Sequence, residues 1–209
     1  MAWVMNSWLQ PLTRSHLVFP IPIRSRGNEV VLRASKNRNG MLICSAHLPL
    51  INSILRPLVD MDCTPTAVVS GAAQENEQSP VWGLDRGIPV IEPDKNVLLR
   101  AKTILRRGGS VAALIDPGLG EAFNQNIFRL IRHIGAEVVF ATAELQGNGD
   151  ILVEYFAPPD PRCSNDVSVS QNLEALRARI ESILVLPTTR TTDQATHVAK
   201  LDSPKAGPG

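Results

Sequence analysis

The residues best suited to chemistry lie in one short stretch, MLICSAHLPLIN at residues 41–52. Imidazole can take up a proton near neutral pH, so His47 is a candidate general base. Such a base needs a partner on its other ring nitrogen to fix the tautomer. The amide oxygen of Asn52, five residues later, could accept that N–H, as Asn does in Cys-His-Asn proteases. The alternative is that His47 is a polar residue at the rim of a strand, without a catalytic role.

Two further polar residues are candidates for substrate binding. Asp116 follows an apolar run at residues 110–115 and precedes the turn-rich residues 117–120, so it would emerge at the same edge as His47 if the two strands are parallel. Arg86, in WGLDRGIP, would suit a phosphate or a carboxylate. The alternatives are a turn-forming Asp and a solvated surface Arg.

Several kinds of site are not indicated by the sequence. No pair of His or Cys residues has metal-ligand spacing, and the three Cys residues are widely spaced without a CxxC pair. The chain also has no GxSxG elbow, no Walker loop and no GxGxxG. We therefore predict no metal, no cofactor and reduced thiols.

The position of His47 depends on the elements around it. Residues 41–46 form a short apolar run that predicts a buried strand. Pro49 is suited to the first turn of a helix, and Pro57 would end that helix near Arg56. His47 would then lie at the carboxyl end of a strand, the edge at which open α/β sheets usually bind ligands.

The remaining elements alternate between strands and helices. Strands are predicted at 30–33, 66–70, 88–91, 110–115, 137–143 and 151–156, with a hairpin turn at 146–150. Helices are predicted from an N-cap at Asp94 to Arg107, over 123–134 and over 170–184. The alternation predicts an α/β fold: a single layered domain with a mixed, mainly parallel sheet flanked by helices.

Length and composition agree with one globular domain. The chain has 209 residues, of which 44% are hydrophobic and 20% charged. Its net charge of +1 gives no general attraction to nucleic acid, which we do not expect as a partner. No apolar run approaches the ~20 residues that cross a bilayer.

Three regions are expected along the chain. Residues 1–29 are an N-terminal arm with Trp3 and Trp8, which either packs on the domain or rests at a membrane interface. Residues 30–186 are the α/β domain. Residues 187–209 are rich in Thr, Pro and polar residues, so we expect them to be disordered.

The succession of segments over residues 30–184 resembles the lysophospholipid acyltransferase superfamily, and within it the bacterial lipid A biosynthesis (lauroyl/myristoyl) acyltransferases. The likeness rests on the strand ending in His47, on KNVLLRAKTILRRGGSVAALIDPG and on HIGAEVVFATAELQGNGDILVEYFAPP. In that family a His-x4-Asp/Glu motif carries the chemistry. His47 matches its histidine, Asn52 stands at its acidic position, Asp116 matches a later Asp, and Arg86 falls near a substrate-binding Arg segment.

The resemblance implies an acyltransferase with an acyltransferase-like fold. It would move a fatty acyl group from a thioester donor, acyl carrier protein or coenzyme A, to a lipid or glycolipid acceptor, with His47 as general base. It would need no cofactor and no acyl-enzyme, and it would work peripherally at the cytoplasmic face of the inner membrane. The alternative is a degenerate, non-catalytic member that binds lipid or a partner. Asn52 favours this alternative, whereas His47 and Asp116 favour the enzyme.

Overall fold

The computed structural model describes residues 21–48, 50–68, 87–116, 123 and 125–184, together with the backbone of 78–80. Arg86, most of the predicted N-terminal arm and the predicted tail lie outside these residues. The end of the arm, residues 21–29, is part of the folded domain because it holds the first strand and the start of the first helix.

The centre of the molecule is one mixed, mainly parallel sheet, as predicted. Its spatial order is β1-β8-β7-β2-β6-β3-β5-β4. The five central strands run parallel, β4 is antiparallel to β5, and β8 is antiparallel to β7 and parallel to β1. The strands are β1 (Ile23–Arg26), β2 (Met41–Ser45), β3 (Thr66–Val68), β4 (Gln78–Pro80), β5 (Gly87–Ile91), β6 (Ser110–Leu114), β7 (Glu137–Leu145) and β8 (Ile151–Phe156).

Helices cover both faces of this sheet. They are α1 (Asn28–Ala34), α2 (Leu55–Asp60) after a 3₁₀ turn (Ile51–Ile54), α3 (Val97–Arg106), α4 (Asn126–Ile134) and α5 (Asp166–Leu184). The helices α3, α4 and α5 pack on one face, and α1, the 3₁₀ turn and α2 pack on the other. Every residue of β2 is buried because both of its faces are covered, which explains its continuous apolar sequence. None of the described helices combines the length and the apolar character needed to cross a bilayer.

The predicted strand at residues 30–33 is wrong, because this segment is part of α1. The backbone N–H of Val30 donates to the carbonyl of Gly27 at 3.0 Å, and Val31 and Ala34, one helical turn apart, are both buried. Gly27 has a φ of +75°, and an added Cβ would lie 1.8 Å from the carbonyl oxygen of Tyr155. The β-branched valines favour a strand locally, but burial of one helical face decides the outcome.

Two predicted helix ends also need correction. Pro57 does not end the helix near Arg56, because it lies in the first turn of α2, where proline is tolerated. Asp94 is not the N-cap of α3, which begins at Val97. Instead, the Asp94 carboxylate accepts the backbone N–H of Asn96 at 2.8 Å in the turn before the helix.

Candidate active site

His47 and Asp116 lie side by side at the carboxyl edge of the parallel strands. In the register of β2 and β6, Ser45 is opposite Leu114. The ladder continues with a hydrogen bond from the Ile115 N–H to the Ser45 carbonyl at 2.9 Å. His47 and Asp116 each follow two residues after this matched pair. The structure therefore confirms that Asp116 emerges at the same edge as His47.

The two side chains form a hydrogen-bonded pair. The Nδ1 atom of His47 lies 3.0 Å from Oδ1 of Asp116. The backbone N–H of His47 also donates to both carboxylate oxygens, at 2.9 and 3.1 Å. Because a carboxylate only accepts hydrogen bonds, this pairing places the proton on Nδ1 and leaves the lone pair on Nε2. The geometry is that of an oriented general base.

The side chains of His47 and Asp116 differ in their exposure to solvent. The Asp116 side chain is 2% exposed, whereas the imidazole of His47 is 46% exposed. The carboxylate is therefore held beneath the surface while the ring stays accessible to a reactant. An orienting partner that is buried and a base that is open suit proton transfer to and from a bound molecule.

Asn52 does not make the contact that we expected of it, because Asp116 takes the Nδ1 position. The segment after His47 is not a regular α-helix. It passes through Leu50 in the left-handed region, with a φ of 68°, and continues as the 3₁₀ turn. Asn52 is exposed on this turn and lines the same cavity as His47. Its catalytic role stays a prediction, as does substrate binding by Arg86, which lies outside the described residues.

A cavity of about 470 Å³ opens beside the pair. This volume lies within the range of ordinary small-molecule pockets. Its polar lining consists of His47, Asn52 and Asp116. Its apolar lining comes from the 3₁₀ turn, α2, the ends of β3 and β6, and the segment after β5: Ile51, Ile54, Leu55, Ala67, Val68, Pro93, Ala112, Ala113 and Leu114. A mainly apolar ligand could thus lie in this cavity with its polar end at His47.

A buried tyrosine holds the wall of the cavity in place. The hydroxyl of Tyr155, on β8, donates to the carbonyl of Ile54 at 2.5 Å. Ile54 ends the 3₁₀ turn that carries Ile51 and Asn52. Sequence reasoning missed Tyr155 because 101 residues separate it from Ile54 and no local pattern joins them.

The nearby cysteine is not a candidate nucleophile. Cys44 lies three residues before His47, but it is fully buried. Burial raises the pKa of its thiol well above the usual value, so the reactive thiolate is disfavoured. Within the described residues, no group of three or more His, Cys, Asp or Glu side chains could hold a metal ion.

No protein-family model matches the chain, and a search of curated proteins finds none that is significantly similar. The chemistry of this site therefore rests on its own geometry: an oriented, accessible imidazole beside an apolar cavity.

Proposed function

We propose that the protein is an acyltransferase that moves a fatty acyl group from a thioester to a lipid or glycolipid acceptor. The single observation that carries this proposal is the His47–Asp116 pair at the mouth of an apolar cavity. A proton acceptor alone would fit many reactions. The apolar cavity beside it favours a reactant with a hydrocarbon chain.

In this reaction His47 first accepts a proton and later donates it. Its Nε2 atom removes the proton from the acceptor hydroxyl or amine as that atom attacks the thioester carbonyl. The tetrahedral intermediate collapses, the carbon–sulfur bond breaks, and the imidazolium returns the proton to the departing thiolate. The Asp116 carboxylate stabilises the imidazolium between these two transfers.

Asp116 supplies the carboxylate that the His-x4-Asn stretch lacks. An Asn at position 52 could orient an imidazole but could not stabilise its charge. Asp116 does both from the neighbouring strand, at 3.0 Å from Nδ1. The substitution of Asn at the acidic position of the motif is therefore compatible with an active enzyme.

The donor, acceptor and location follow from the resemblance of residues 30–184 to lipid A acyltransferases. The proposed donor is an acyl carrier protein or coenzyme A thioester, and the proposed acceptor is a membrane lipid or glycolipid. The proposed location is the cytoplasmic face of the inner membrane, with peripheral attachment. The proposed pathway is lipid A biosynthesis.

The test is thiol release from acyl-coenzyme A and acyl carrier protein thioesters, measured with and without membrane lipids as acceptor. A general base contributes roughly 10²–10⁴-fold, so we expect His47→Ala to lower lipid-dependent release by at least about 10²-fold. His133→Ala is the matched control, because His133 is exposed on α4 and does not line the cavity. Equal activity of wild type and His47→Ala would refute the proposed base.

The second candidate is a non-catalytic protein that binds lipid in the same cavity. The exposed amide of Asn52, in place of a carboxylate on the turn, favours it. Two results together would establish this second function. Folded wild-type protein would release no thiol from any thioester, and wild type and the His47→Ala variant would bind lipid equally well.

A further inference from the structure

The helix α3 carries a stripe of exposed leucines between cations. Leu98 is 38% exposed and Leu99 is 63% exposed. Spacings of three and four residues place Leu98 and Leu99 on the same side of α3 as Lys102 and Arg106, and Lys95 lies in the turn just before the helix. We call these residues the leucine–lysine stripe: Lys95, Leu98, Leu99, Lys102 and Arg106.

Basic side chains predominate along this stripe, although the exposed Glu92 and Asp94 lie just before Lys95 and Asp94 pairs with Arg100. No Asp or Glu occurs from residue 95 to residue 115, although the whole chain has a net charge of only +1. Lys95, Lys102 and Arg106 form no ion pair within the part of the chain that the structure describes. On the other face of the sheet the charges are mixed, with Glu29 and Arg33 on α1.

The stripe begins at the rim of the cavity. β5 is parallel to β3 and through it to β6, so its carboxyl end lies at the edge that carries His47 and Asp116. Pro93, in the segment between β5 and α3, lines the cavity. Arg100 ties this segment to the helix, because its Nη2 atom lies 3.0 Å from the Glu92 carbonyl and 2.7 Å from Oδ1 of Asp94.

We propose that the leucine–lysine stripe docks the protein on an anionic lipid bilayer. The Lys and Arg side chains would contact negatively charged headgroups while Leu98 and Leu99 enter the boundary with the acyl chains. Docking would place the cavity rim against the membrane. This inference rests on the proposed function for its purpose, since a lipid acceptor must reach His47, but the docking itself requires no catalysis.

A bilayer fits this surface better than an acidic protein does. Exposed leucines beside basic side chains on one helix are the combination that interfacial helices present to anionic headgroups and acyl chains. Lysines flank the leucines on both sides in the sequence, and long lysine stems can reach headgroups from a shallow apolar contact. The inference therefore commits to the lipid surface.

The experiment measures binding of the full chain to sedimented vesicles of phosphatidylcholine alone and of an equal mixture with phosphatidylglycerol. The double variant Lys95→Glu/Leu99→Ala should bind the anionic vesicles at least about tenfold more weakly than wild type. Added salt should weaken wild-type binding, because exposed charges are screened. Wild type should prefer the anionic vesicles.

The matched control is Leu32→Ala/Arg33→Glu on α1. Leu32 is 43% exposed, Arg33 is exposed, and the pair changes the net charge by the same amount on the opposite face. This control should bind as wild type does. Three outcomes would overturn the proposal. Lys95→Glu/Leu99→Ala could bind vesicles as tightly as wild type does, or both double variants could lose binding equally. Wild type could also bind an acidic carrier protein but no vesicles. Circular dichroism would verify that both variants are folded.

His47→Ala separates this inference from the proposed function. It should bind vesicles as wild type does while it loses thiol release. Vesicle binding through the stripe without any thiol release would refute the proposed function and support the docking surface. His47-dependent thiol release from protein that binds no vesicles would support the proposed function and refute the docking surface.

Discussion

Asp116 acts on His47 through two parts of that residue at once. Its carboxylate is bound to the imidazole at Nδ1 and to the backbone N–H, so the ring and the chain that carries it are positioned together. In the proposed reaction this arrangement gives Asp116 the role of a positioning residue, and its role in substrate binding stays a prediction because it also lines the cavity. The two roles differ in what a substitution changes.

We predict that Asp116→Asn lowers kcat by about 10²–10⁴-fold and leaves KM within about threefold, because the amide favours the wrong imidazole tautomer. Steady-state kinetics of thiol release would separate kcat from KM. Asp60→Asn is the control, since Asp60 pairs with Arg56 on the surface. A large rise in KM with kcat unchanged would assign Asp116 to substrate binding instead.

Asn52→Ala provides a comparison with Asp116→Asn, because both residues line the cavity beside His47. Because Asp116 already holds Nδ1, this substitution should cost less activity than Asp116→Asn does. The reverse order would mean that Asn52 contacts the reacting molecules from its exposed position on the cavity wall.

At the scale of the element, the 3₁₀ turn has an irregular entry and two hydrogen bonds that fix it. Leu50 enters it with a positive φ, a conformation that costs about 1–3 kcal/mol in a non-glycine residue. The hydroxyl of Ser53 donates to the Leu50 carbonyl at 2.6 Å, and Tyr155 binds the far end of the turn at Ile54. The first hydrogen bond closes the turn on itself, and the second holds this wall of the cavity against β8.

Tyr155→Phe should lower the free energy of unfolding by about 0.5–1.5 kcal/mol, because it removes the buried hydrogen bond from the hydroxyl to the Ile54 carbonyl. Urea unfolding followed by circular dichroism would measure this change. Ser35→Ala, which removes an exposed hydroxyl bound to the Leu32 carbonyl, should cost less than about 0.5 kcal/mol. Equal stability of Tyr155→Phe and wild type would show that the hydroxyl does not hold the turn.

Elements with a clear local pattern could be predicted from the sequence. The strand at 151–156 was predicted at the bounds observed, and Gly135 ends α4 with a φ of 76°, as its position after the apolar stripe indicates. The mixed, mainly parallel sheet followed from the alternation of such elements. Residues 30–33 were mistaken for a strand because their helical face is defined only by what it packs against.

The candidate site was predictable only in part, for a similar reason. Strand ends place His47 and Asp116 at one edge, but their hydrogen bond joins residues 69 apart and depends on the register of β2 and β6. Local spacing instead pointed to Asn52, because a regular helix was assumed after His47. The left-handed Leu50 has no signal in the sequence, since glycine or asparagine would be expected there.

At the scale of the whole molecule, the sheet keeps titratable groups in the core on both of its faces. Cys44 and Cys163 lie on the face covered by α3, α4 and α5, and Tyr155 lies on the other. Burial raises the pKa of Cys44 and Tyr155, and it raises that of Cys163 to about 11. The folded protein therefore keeps these groups protonated.

The melting temperature should fall as the pH rises above about 8.5, where the unfolded thiols begin to lose their protons. Below that pH both states are protonated and the stabilisation is complete. Above it the unfolded state is favoured by each proton released, first from the cysteines and then from Tyr155. Calorimetry at constant ionic strength would measure the slope, and Tyr155→Phe should flatten it above about pH 10. A melting temperature that is constant up to pH 11 would contradict this expectation.

The order of the strands also has a consequence for synthesis on the ribosome. The buried strand β2 lies between β6 and β7, which begin at Ser110 and Glu137, and among the described strands β1 pairs with β8 alone. A nascent chain therefore exposes β2 without either neighbour until more than half of the polypeptide has emerged. Long-range strand pairing forms slowly and leaves an apolar segment exposed in the meantime. We therefore expect chaperones to bind newly made chains.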